Sequence, residues 1–453
     1  MKSVHSSRRR FGRAAAVIGT GLALSIGLAA CAPAAGGGAE TGNADDIAAA
    51  LKEKSTITVW AWAPAVEDIA KAFEKEHPNV TVKVVNAGTG NDQYIKLQNA
   101  IKAGSGGPDV AQIEYYALPQ FALGDSLADL GKFGMSDLES KYTTGTWNSV
   151  NLNGKLAALP QDSGPMALFY NKTVFDKYGI AVPTTWDEYI NAAKTLHAAD
   201  PNAYITNDTG DAGFTTSMIW QAGGQPYKTS SDGKKVTIDL QDAGAKKYAD
   251  MWSQLVDGGL VSPISSWSDE WYKGLADGSI ATLAIGAWMP GNLETGVEAA
   301  SGNWRVAPLP TYESGSAATA ENGGSGDSVM AASTNKLVAA GFVKYMNAQE
   351  GTQISMDAGG FPSTTADLSS SKFLDAAPDY FGGQQINKVL AQASKDVVKG
   401  WSYLPFQVYS NSIFGDTVGQ AYADKSNLND GLKAWQKSTA SYGSEQGFTV
   451  TSK

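Results

Sequence analysis

The stretch from Ser55 to Val85 constrains the fold more than any other part of the chain. Ser55–Trp62 alternates β-branched with other residues and predicts a strand, and Val80–Val85 predicts a second strand. Between them, apolar residues from Val66 to Phe73 recur at the i, i+3, i+4 and i+7 positions of one helical face. A strand, helix and strand within about 30 residues form a βαβ unit, whose right-handed crossover makes the strands parallel. The sequence therefore predicts an α/β fold, in which ligands bind outside the carboxyl ends of the strands.

Two joints rich in glycine or proline predict that the chain is divided into lobes. Ser163–Pro165 separates two strand-like runs, and Asn322–Ser328 precedes a strand predicted at Val329–Ala332. The chain has 453 residues, which is too many for one simple core. We therefore expect two lobes with a hinge at these joints.

The amino-terminal residues predict an exported lipoprotein. Cationic residues precede the apolar run Ala14–Ala30, which is short for a membrane-spanning helix of roughly 20 residues. The run ends in Leu28–Cys31, which resembles the bacterial lipobox, where the cysteine is lipidated and the signal is cut before it. We expect a signal peptide at 1–30, and a lipidated Cys31 with a flexible tether at 31–54, in which Asp45–Glu53 can form a short helix. The alternatives are a buried cysteine and a nucleophilic thiolate. The arginines of Ser7–Phe11 leave ordinary and twin-arginine export both open.

Composition excludes several classes of partner. The net charge is −10, and removal of the cationic signal makes the remaining chain more acidic, so nucleic acid is not an expected partner. Contact with the membrane is expected through the lipid anchor only. Cys31 is the only cysteine, which excludes an internal disulfide, and three histidines without a metal-ligand spacing argue against zinc. We expect no cofactor and no metal. Twelve tryptophans and eighteen tyrosines point instead to a ligand that stacks on rings.

Six short stretches, in this order after a lipobox, carry a family resemblance that spans the chain from about Ser55 to its end. The chain is similar to bacterial extracellular solute-binding lipoproteins of the sugar-binding class (family 1), the substrate receptors of ABC importers. The stretches are Phe73–Val82, Gly107–Val110, Leu159–Lys172, Pro183–Glu188, Gly286–Trp288 and Ser333–Lys336.

The resemblance implies a two-lobe periplasmic-binding-protein-like fold (type II), with a ligand cleft between lobes that are joined by crossing segments. By analogy, lobe 1 comprises 55–162 plus 328–370, and lobe 2 comprises 164–326 plus 371–453. The implied protein is not an enzyme. It is a monomer, lipid-anchored at the extracellular face of the cytoplasmic membrane, which captures a sugar by cleft closure and delivers it to ABC permease subunits.

A sugar needs flat rings against its C–H faces and carboxylates or amides at its hydroxyls. Trp288 is the first aromatic candidate, because it follows a buried strand at a glycine turn and the family keeps a stacking ring there. For each candidate the alternative is a packing or hinge role. The full set of expected ligand contacts is Trp62, Asn91, Gln93, Glu114, Tyr115, Asp162, Trp267, Trp271, Trp288, Asp327 and Trp401.

Lysine and arginine are nearly absent around these candidates, which favours a neutral mono- or oligosaccharide, since an anionic ligand favours arginine. Three other functions stay open from the sequence. One is a receptor for another small solute, such as a peptide or a metal. The second is a lipid-anchored glycoside hydrolase, for which Glu114 and Asp162 would be the two carboxylates. The third is a purely structural surface lipoprotein.

Overall fold

The computed structural model describes residues 39–152 and 154–453. The predicted signal peptide and Cys31 lie outside the described residues. Within the described part of the chain, no helix combines the length and the apolar character needed to cross a membrane.

The strands are mostly short. They are β1 (Ser55–Trp60), β2 (Val80–Val85), β3 (Val110–Glu114), β4 (Asn151–Leu152), β5 (Lys155–Leu156), β6 (Leu159–Pro160), β7 (Met166–Asn171), β8 (Thr206–Asn207), β9 (Tyr227–Thr229), β10 (Lys235–Ile238), β11 (Val261–Ser262), β12 (Thr282–Gly286), β13 (Trp304–Pro308), β14 (Ser325–Val329) and β15 (Thr449–Ser452).

The α-helices cover the sheets and form most of the carboxyl-terminal part. They are α1 (Ala44–Ala50), α2 (Val66–Glu76), α3 (Asn91–Ala103), α4 (Leu118–Leu123), α5 (Thr144–Val150), α6 (Lys172–Tyr178), α7 (Trp186–Ala199), α8 (Ala212–Gln221), α9 (Ala243–Asp257), α10 (Asp269–Asp277), α11 (Met289–Gly296), α12 (Lys336–Ala348), α13 (Glu350–Asp357), α14 (Thr365–Ser369), α15 (Ser371–Leu374), α16 (Ile386–Lys395), α17 (Gln407–Ser412), α18 (Val418–Asp424) and α19 (Leu428–Glu445). Short 3₁₀ turns lie at Leu130–Phe133, Ser136–Lys141, Glu298–Ala300 and Asp379–Phe381.

Lobe 1 is built on a five-stranded sheet in the order β2-β1-β3-β14-β6. β1 pairs in parallel with both β2 and β3, as the βαβ unit predicts, whereas β14 runs antiparallel to β3 and β6. The amphipathic face of α2 buries Phe73 against Phe342 of α12, at 5.2 Å between ring centroids. This sheet directs the end of β3, with Glu114, toward the cleft between the lobes.

Lobe 2 is built on the antiparallel sheet β12-β7-β13. Its central strand β7 is buried on both faces, because alternate side chains enter two different apolar cores. Met166 and Leu168 belong to one core, and Ala167 and Phe169 belong to the other. An apolar run without alternation, as in this strand, is what burial on both faces requires.

The two lobes are joined where β6 leads to β7 and where the chain after β13 leads to β14. The fold is therefore the mixed α/β, two-lobe architecture expected from the sequence, with a cleft between lobes joined by crossing segments. The lobe boundaries given above stay predictions.

The second joint was predicted wrongly in detail. The sequence pattern predicts a loop over Asn322–Ser328 and a strand that starts at Val329, but β14 begins at Ser325 and ends at Val329. The strand forms because Ser325–Val329 pairs with β3 and β6, and at Gly326 a Cβ would come within 2.8 Å of the Ala158 side chain. The glycine permits close strand packing and does not break the strand.

The segment expected to be a flexible tether, 31–54, contains a helix. Within it, α1 is capped by Asn43, whose side chain accepts hydrogen bonds from the backbone N–H groups of Asp45 and Asp46. Ile47 of this helix is buried in the core of lobe 1. The segment from Ala44 to Ala50 therefore belongs to the folded body.

Candidate functional site

The lobe 1 wall of the cleft is centred on Glu114 at the carboxyl end of β3. The Tyr94 hydroxyl donates to Glu114 Oε2 at 3.1 Å and accepts from the Glu114 backbone N–H at 2.8 Å. Burial raises the pKa of Glu114 to about 7, although hydrogen bonds from Tyr94 and Tyr116 act in the opposite direction. Near neutral pH this carboxyl group can therefore accept or donate hydrogen bonds to a ligand.

Aromatic rings surround that carboxyl group. Trp62 meets Tyr94 edge to face at 6.3 Å, and Tyr94 meets Tyr116 in the same way at 5.9 Å. The chain at Trp62 is fixed by Gln112, whose Oε1 accepts the backbone N–H of Trp62 at 3.1 Å. α3 starts directly after Gly90, where a Cβ would lie 3.3 Å from Glu114 Oε2. The glycine lets the backbone approach the carboxylate closely.

The lobe 2 wall carries a cluster of three tryptophans. Trp288 and Trp267 are stacked, with ring centroids 5.9 Å apart and planes inclined by 28°. Trp267 in turn contacts Trp271 at 4.9 Å. Trp267 is 50% exposed and adopts a positive φ of 69°, which is uncommon for a residue with a side chain. Trp288 and Trp267 thus present an accessible aromatic surface, and the buried Trp271 supports it.

Two aspartates lie near the start of α8 in lobe 2. Asp211 caps the helix by accepting the Phe214 N–H at 2.6 Å. Its carboxylate reaches solvent, yet the surrounding protein desolvates it and raises its pKa. Asp208 accepts from the Trp252 indole at 2.7 Å and from the Tyr422 hydroxyl at 2.9 Å. The charge of Asp211 also raises the pKa of Glu114, which places the two carboxyl groups within electrostatic reach across the cleft.

The crossing segments contribute two further carboxyl groups. Asp162 Oδ1 accepts the Ser325 N–H, and Glu321 Oε2 accepts the Gly164 N–H, both at 2.6 Å. Each segment therefore supplies a side chain that binds the backbone of the other. Burial raises the pKa of Asp162 and that of Glu321 to about 7.

Of the predicted contacts, Trp62, Glu114, Trp267 and Trp288 lie on the two walls described above, and Asp162 lies in a crossing segment. Other predicted contacts have structural partners. Tyr115 donates from its hydroxyl to the Asp162 carbonyl at 2.6 Å. Trp401 stacks on Trp220, with ring centroids 5.2 Å apart, and its ring also contacts Tyr403. Tyr403 in turn meets Tyr116 of the opposite lobe, at 6.4 Å between ring centroids. These positions place Tyr115 at the crossing and Trp401 beside the cleft.

Four predicted contacts are partly or wholly buried, three of them with structural hydrogen-bond partners. Asn91, at the start of α3, is half-buried and its Oδ1 has no hydrogen-bond partner among the described residues. Gln93 is fully buried and donates to the Gln112 carbonyl at 2.7 Å. Trp271 is buried and donates to Asn207 Oδ1 at 2.7 Å. Asp327 is fully buried in β14 and accepts from Asn347 at 2.9 Å.

Several residues of the cleft were not singled out from the sequence. Asp211 precedes the helical stretch 212–221 as a capping residue, and this pattern was a usable signal. Tyr94 lies in the first turn of α3, and the direction of its side chain depends on the start of the helix after Gly90. The others are Tyr116, Asp208, Glu321, Asn322 and Tyr403. No local pattern indicates Tyr403, because it reaches the cleft only through the packing of the carboxyl-terminal segment.

In the described part of the chain, no group of three or more histidine, cysteine, aspartate or glutamate side chains is arranged to hold a metal ion. What the arrangement can do is bind a ligand that offers hydroxyl groups to carboxylates and a flat apolar face to indole rings.

Comparison with known proteins gives a consistent assignment. The sequence profile of a family described as "Bacterial extracellular solute-binding protein" matches residues 68–382. An arabinooligosaccharide-binding protein of Halalkalibacterium halodurans is 24% identical over 397 residues, which cover 83% of this chain and 86% of the relative. A lactose-binding protein of Rhizobium radiobacter is 25% identical over 73% of this chain and 80% of its own length.

Solved structures show the same architecture. An ABC transporter associated binding protein from B. animalis subsp. lactis Bl-04, in complex with β-1,6-galactobiose, aligns with a TM-score of 0.84 and 46% identity, covering 88% of this chain and 100% of that one. The galacto-N-biose/lacto-N-biose I-binding protein of Bifidobacterium longum, in complex with lacto-N-biose, aligns with a TM-score of 0.77 and 28% identity. That alignment covers 87% of this chain and 98% of the other.

Proposed function

The chain belongs to the bacterial extracellular solute-binding protein family, and we propose that it captures a neutral mono- or oligosaccharide for an ABC importer. The observation that carries the proposal is the pairing of an accessible indole surface, Trp288 and Trp267, with the desolvated carboxyl groups Glu114 and Asp211 across the cleft. The sugars named for the similar proteins, β-1,6-galactobiose among them, support the same ligand class.

The charges of the cleft favour a neutral ligand. Its ionisable groups include Glu114, Asp162, Asp211 and Glu321, and none of them forms an ion pair with a lysine or arginine of the described residues. A uronate or a phosphorylated sugar would place its negative charge beside carboxyl groups that repel it when they are ionised, and none of these groups is paired with an arginine of the described residues. Hydroxyl groups, in contrast, can donate to each carboxylate.

Closure of the lobes supplies the binding step. Glu114 and Trp62 belong to one lobe, while Trp288, Trp267 and Asp211 belong to the other, so a ligand contacts both sets only when the cleft closes over it. Closure removes water from the carboxylates and strengthens their hydrogen bonds to the ligand. The ligand is released unchanged, because binding and transfer to the permease need no bond to break.

A carbohydrate panel tests this function. We expect a neutral disaccharide such as β-1,6-galactobiose, lacto-N-biose or lactose to raise the melting temperature, because a ligand at 100 times its Kd stabilises the folded state by about 2.7 kcal/mol. Tryptophan fluorescence should change with the same Kd, and chromatography should recover the sugar intact. Galacturonic acid and a tripeptide are the comparison ligands. Stabilisation by the tripeptide alone would refute a sugar receptor, and release of monosaccharides from a disaccharide would indicate a hydrolase.

The lipid anchor at Cys31 is part of the same proposal. Lipidation would hold the receptor at the extracellular face of the cytoplasmic membrane, near the permease that takes its ligand. Two acyl chains give stable anchoring where one gives marginal binding. In the native host, we expect Cys31→Ala to move the protein from the membrane fraction to the medium, while the secreted protein keeps the sugar affinity of the wild type. A variant that stays with the membranes would refute this anchor.

A further inference from the structure

The indole edge of Trp288 packs against the segments that join the two lobes. Its Nε1–H donates to the Asn322 carbonyl at 2.7 Å. Asn322 lies in the second crossing segment, and its own backbone N–H donates to the Gly164 carbonyl of the first crossing segment at 2.8 Å. A chain of two hydrogen bonds therefore links the Trp288 ring to both segments.

Bare backbone surrounds that edge of the ring. A Cβ at Gly323 or Gly164 would lie 2.9 or 3.1 Å from Trp288 Nε1, and a Cβ at Gly286 would lie closer still. Gly323 has a positive φ of 81°, so it also supplies a backbone conformation that other residues rarely adopt. With no side chain between the ring and the crossing segments, a movement of the backbone there must move the ring.

Lobe 1 holds the same segments from the other side. Tyr115 donates from its hydroxyl to the Asp162 carbonyl at 2.6 Å, and a Cβ at Gly324 would come within 2.7 Å of its ring. Trp288 of lobe 2 and Tyr115 of lobe 1 thus contact the adjacent glycines Gly323 and Gly324. A change in the angle between the lobes alters the backbone torsions of these few residues, as in other hinges.

We propose that Asn322 and Gly323 are positioning residues that couple the orientation of the Trp288 ring to the angle between the lobes. The inference rests on the proposed function, since it makes Trp288 the ring on which the sugar stacks. A ligand on Trp288 then binds one hinge conformation more tightly than another, and this differential affinity is what drives closure. The affinity for a sugar depends on the hinge backbone as well as on direct contacts.

Gly323→Ala tests the coupling without replacing any side chain that faces the ligand. Its methyl group displaces the Trp288 edge, and the positive φ adds strain. Gly315→Ala is the matched control, because Gly315 has a φ of 76° and a Cβ there would meet no atom of the described residues within 4 Å. Trp288→Phe keeps an aromatic face but lacks the N–H donor, and Trp288→Ala removes the face altogether.

The affinity for β-1,6-galactobiose is measured by calorimetry, and closure by the decrease in radius of gyration on binding, both in the full-length chain. We expect Gly323→Ala and Trp288→Phe to weaken binding at least 10-fold and to reduce the ligand-induced compaction. Gly315→Ala should stay within twofold of the wild type in affinity and compact normally. Melting temperatures show how much of each effect is a general loss of stability.

Two results would overturn the coupling. In the first, Gly323→Ala and Trp288→Phe bind as tightly as Gly315→Ala. In the second, both variants bind weakly but compact as the wild type does at saturation, so that only stacking is lost. Should Gly323→Ala fail to fold, the affinity and the ligand-induced compaction of Trp288→Phe test the coupling. Failure of the proposed function is recognised separately, because then the wild type itself binds no sugar of the panel.

Discussion

Asp327 is a fully buried carboxyl group in the middle of β14. Asn347 donates to its Oδ2 at 2.9 Å, while Oδ1 has no hydrogen-bond partner among the described residues. Burial raises the pKa of Asp327 to about 8, well above that of an aspartate in an unfolded chain. At neutral pH the side chain is therefore mostly protonated, which reduces the cost of burying it.

We expect Asp327→Asn to stabilise the protein increasingly as the pH rises from about 4 to about 8. Between these values the folded wild type holds a proton that the unfolded chain has lost, so the wild type loses stability with rising pH and the amide variant does not. Melting temperatures of the two proteins at pH 5, 7 and 9 measure the difference, which should level off above pH 8. Sugar affinity should not change, because Asp327 has no exposed surface. A pH-independent difference would contradict the protonated state.

At the residue scale, the position of a side chain can be predicted where it follows from the end of an element. Glu114 ends a parallel strand and Trp288 follows a buried strand, so both positions follow from the order of the elements. The sequence does not separate cleft from core for Gln93 or Trp271. Both lie on helices, where the direction of a side chain depends on the neighbours against which the helix packs. Tertiary contacts decide such cases.

Among the elements, α1 shows how the chain ahead of the first strand is held to lobe 1. Ile47 packs on α12 where Gly341 leaves room, since a Cβ there would lie 3.0 Å from the Ile47 side chain. Glu40 adds an ion pair with Lys336 at 2.8 Å, and Lys336 is only 3% exposed. Without this segment, an apolar strip of α12 and a buried ammonium group would lose their partners.

Removal of residues 1–50 should therefore lower the free energy of unfolding by about 2–4 kcal/mol. Burial of one isoleucine contributes about 1.5–3 kcal/mol, and the unpaired Lys336 adds to the loss. Urea denaturation gives the free energy of unfolding of this variant, which is compared with that of a second variant that lacks only residues 1–38. We expect the shorter deletion to match the full chain. Equal stability of both variants would show that α1 contributes no net stability to lobe 1.

The elements themselves were largely predictable where periodicity was strong. The apolar face from Val66 to Phe73 gave α2, and the parallel pairing of β1 with β2 followed from the crossover rule. The start of β14 is predicted too late in the chain because its sequence, Ser-Gly-Asp-Ser-Val, has the composition of a loop. It becomes a strand through its pairing with β3 and β6, and such long-range pairing leaves no local signal.

For the molecule as a whole, three desolvated carboxyl groups lie at the end of β3 and in the crossing segments. Burial raises the pKa of Glu114, Asp162 and Glu321 to about 7, and the charge of Asp162 raises it further in the other two. All three groups are ordinary carboxylates in the unfolded chain, where their pKa values lie near 4. Between these two pKa values the folded state consequently binds more protons than the unfolded state.

The ligand-free protein should therefore lose stability as the pH rises from 5.5 to 8, by at least about 2 kcal/mol, since each retained proton contributes about 1.4 kcal/mol per pH unit. Asp162→Asn combined with Glu321→Gln should flatten this dependence. Each amide oxygen still accepts the backbone N–H of the opposite crossing segment, so the hinge geometry is kept. The exposed pair Asp137→Asn and Glu139→Gln is the matched control for the loss of two charges. Urea denaturation at four pH values measures the slope, and a wild-type stability that rises between pH 5.5 and 8 would show that these carboxyl groups are ionised in the folded state.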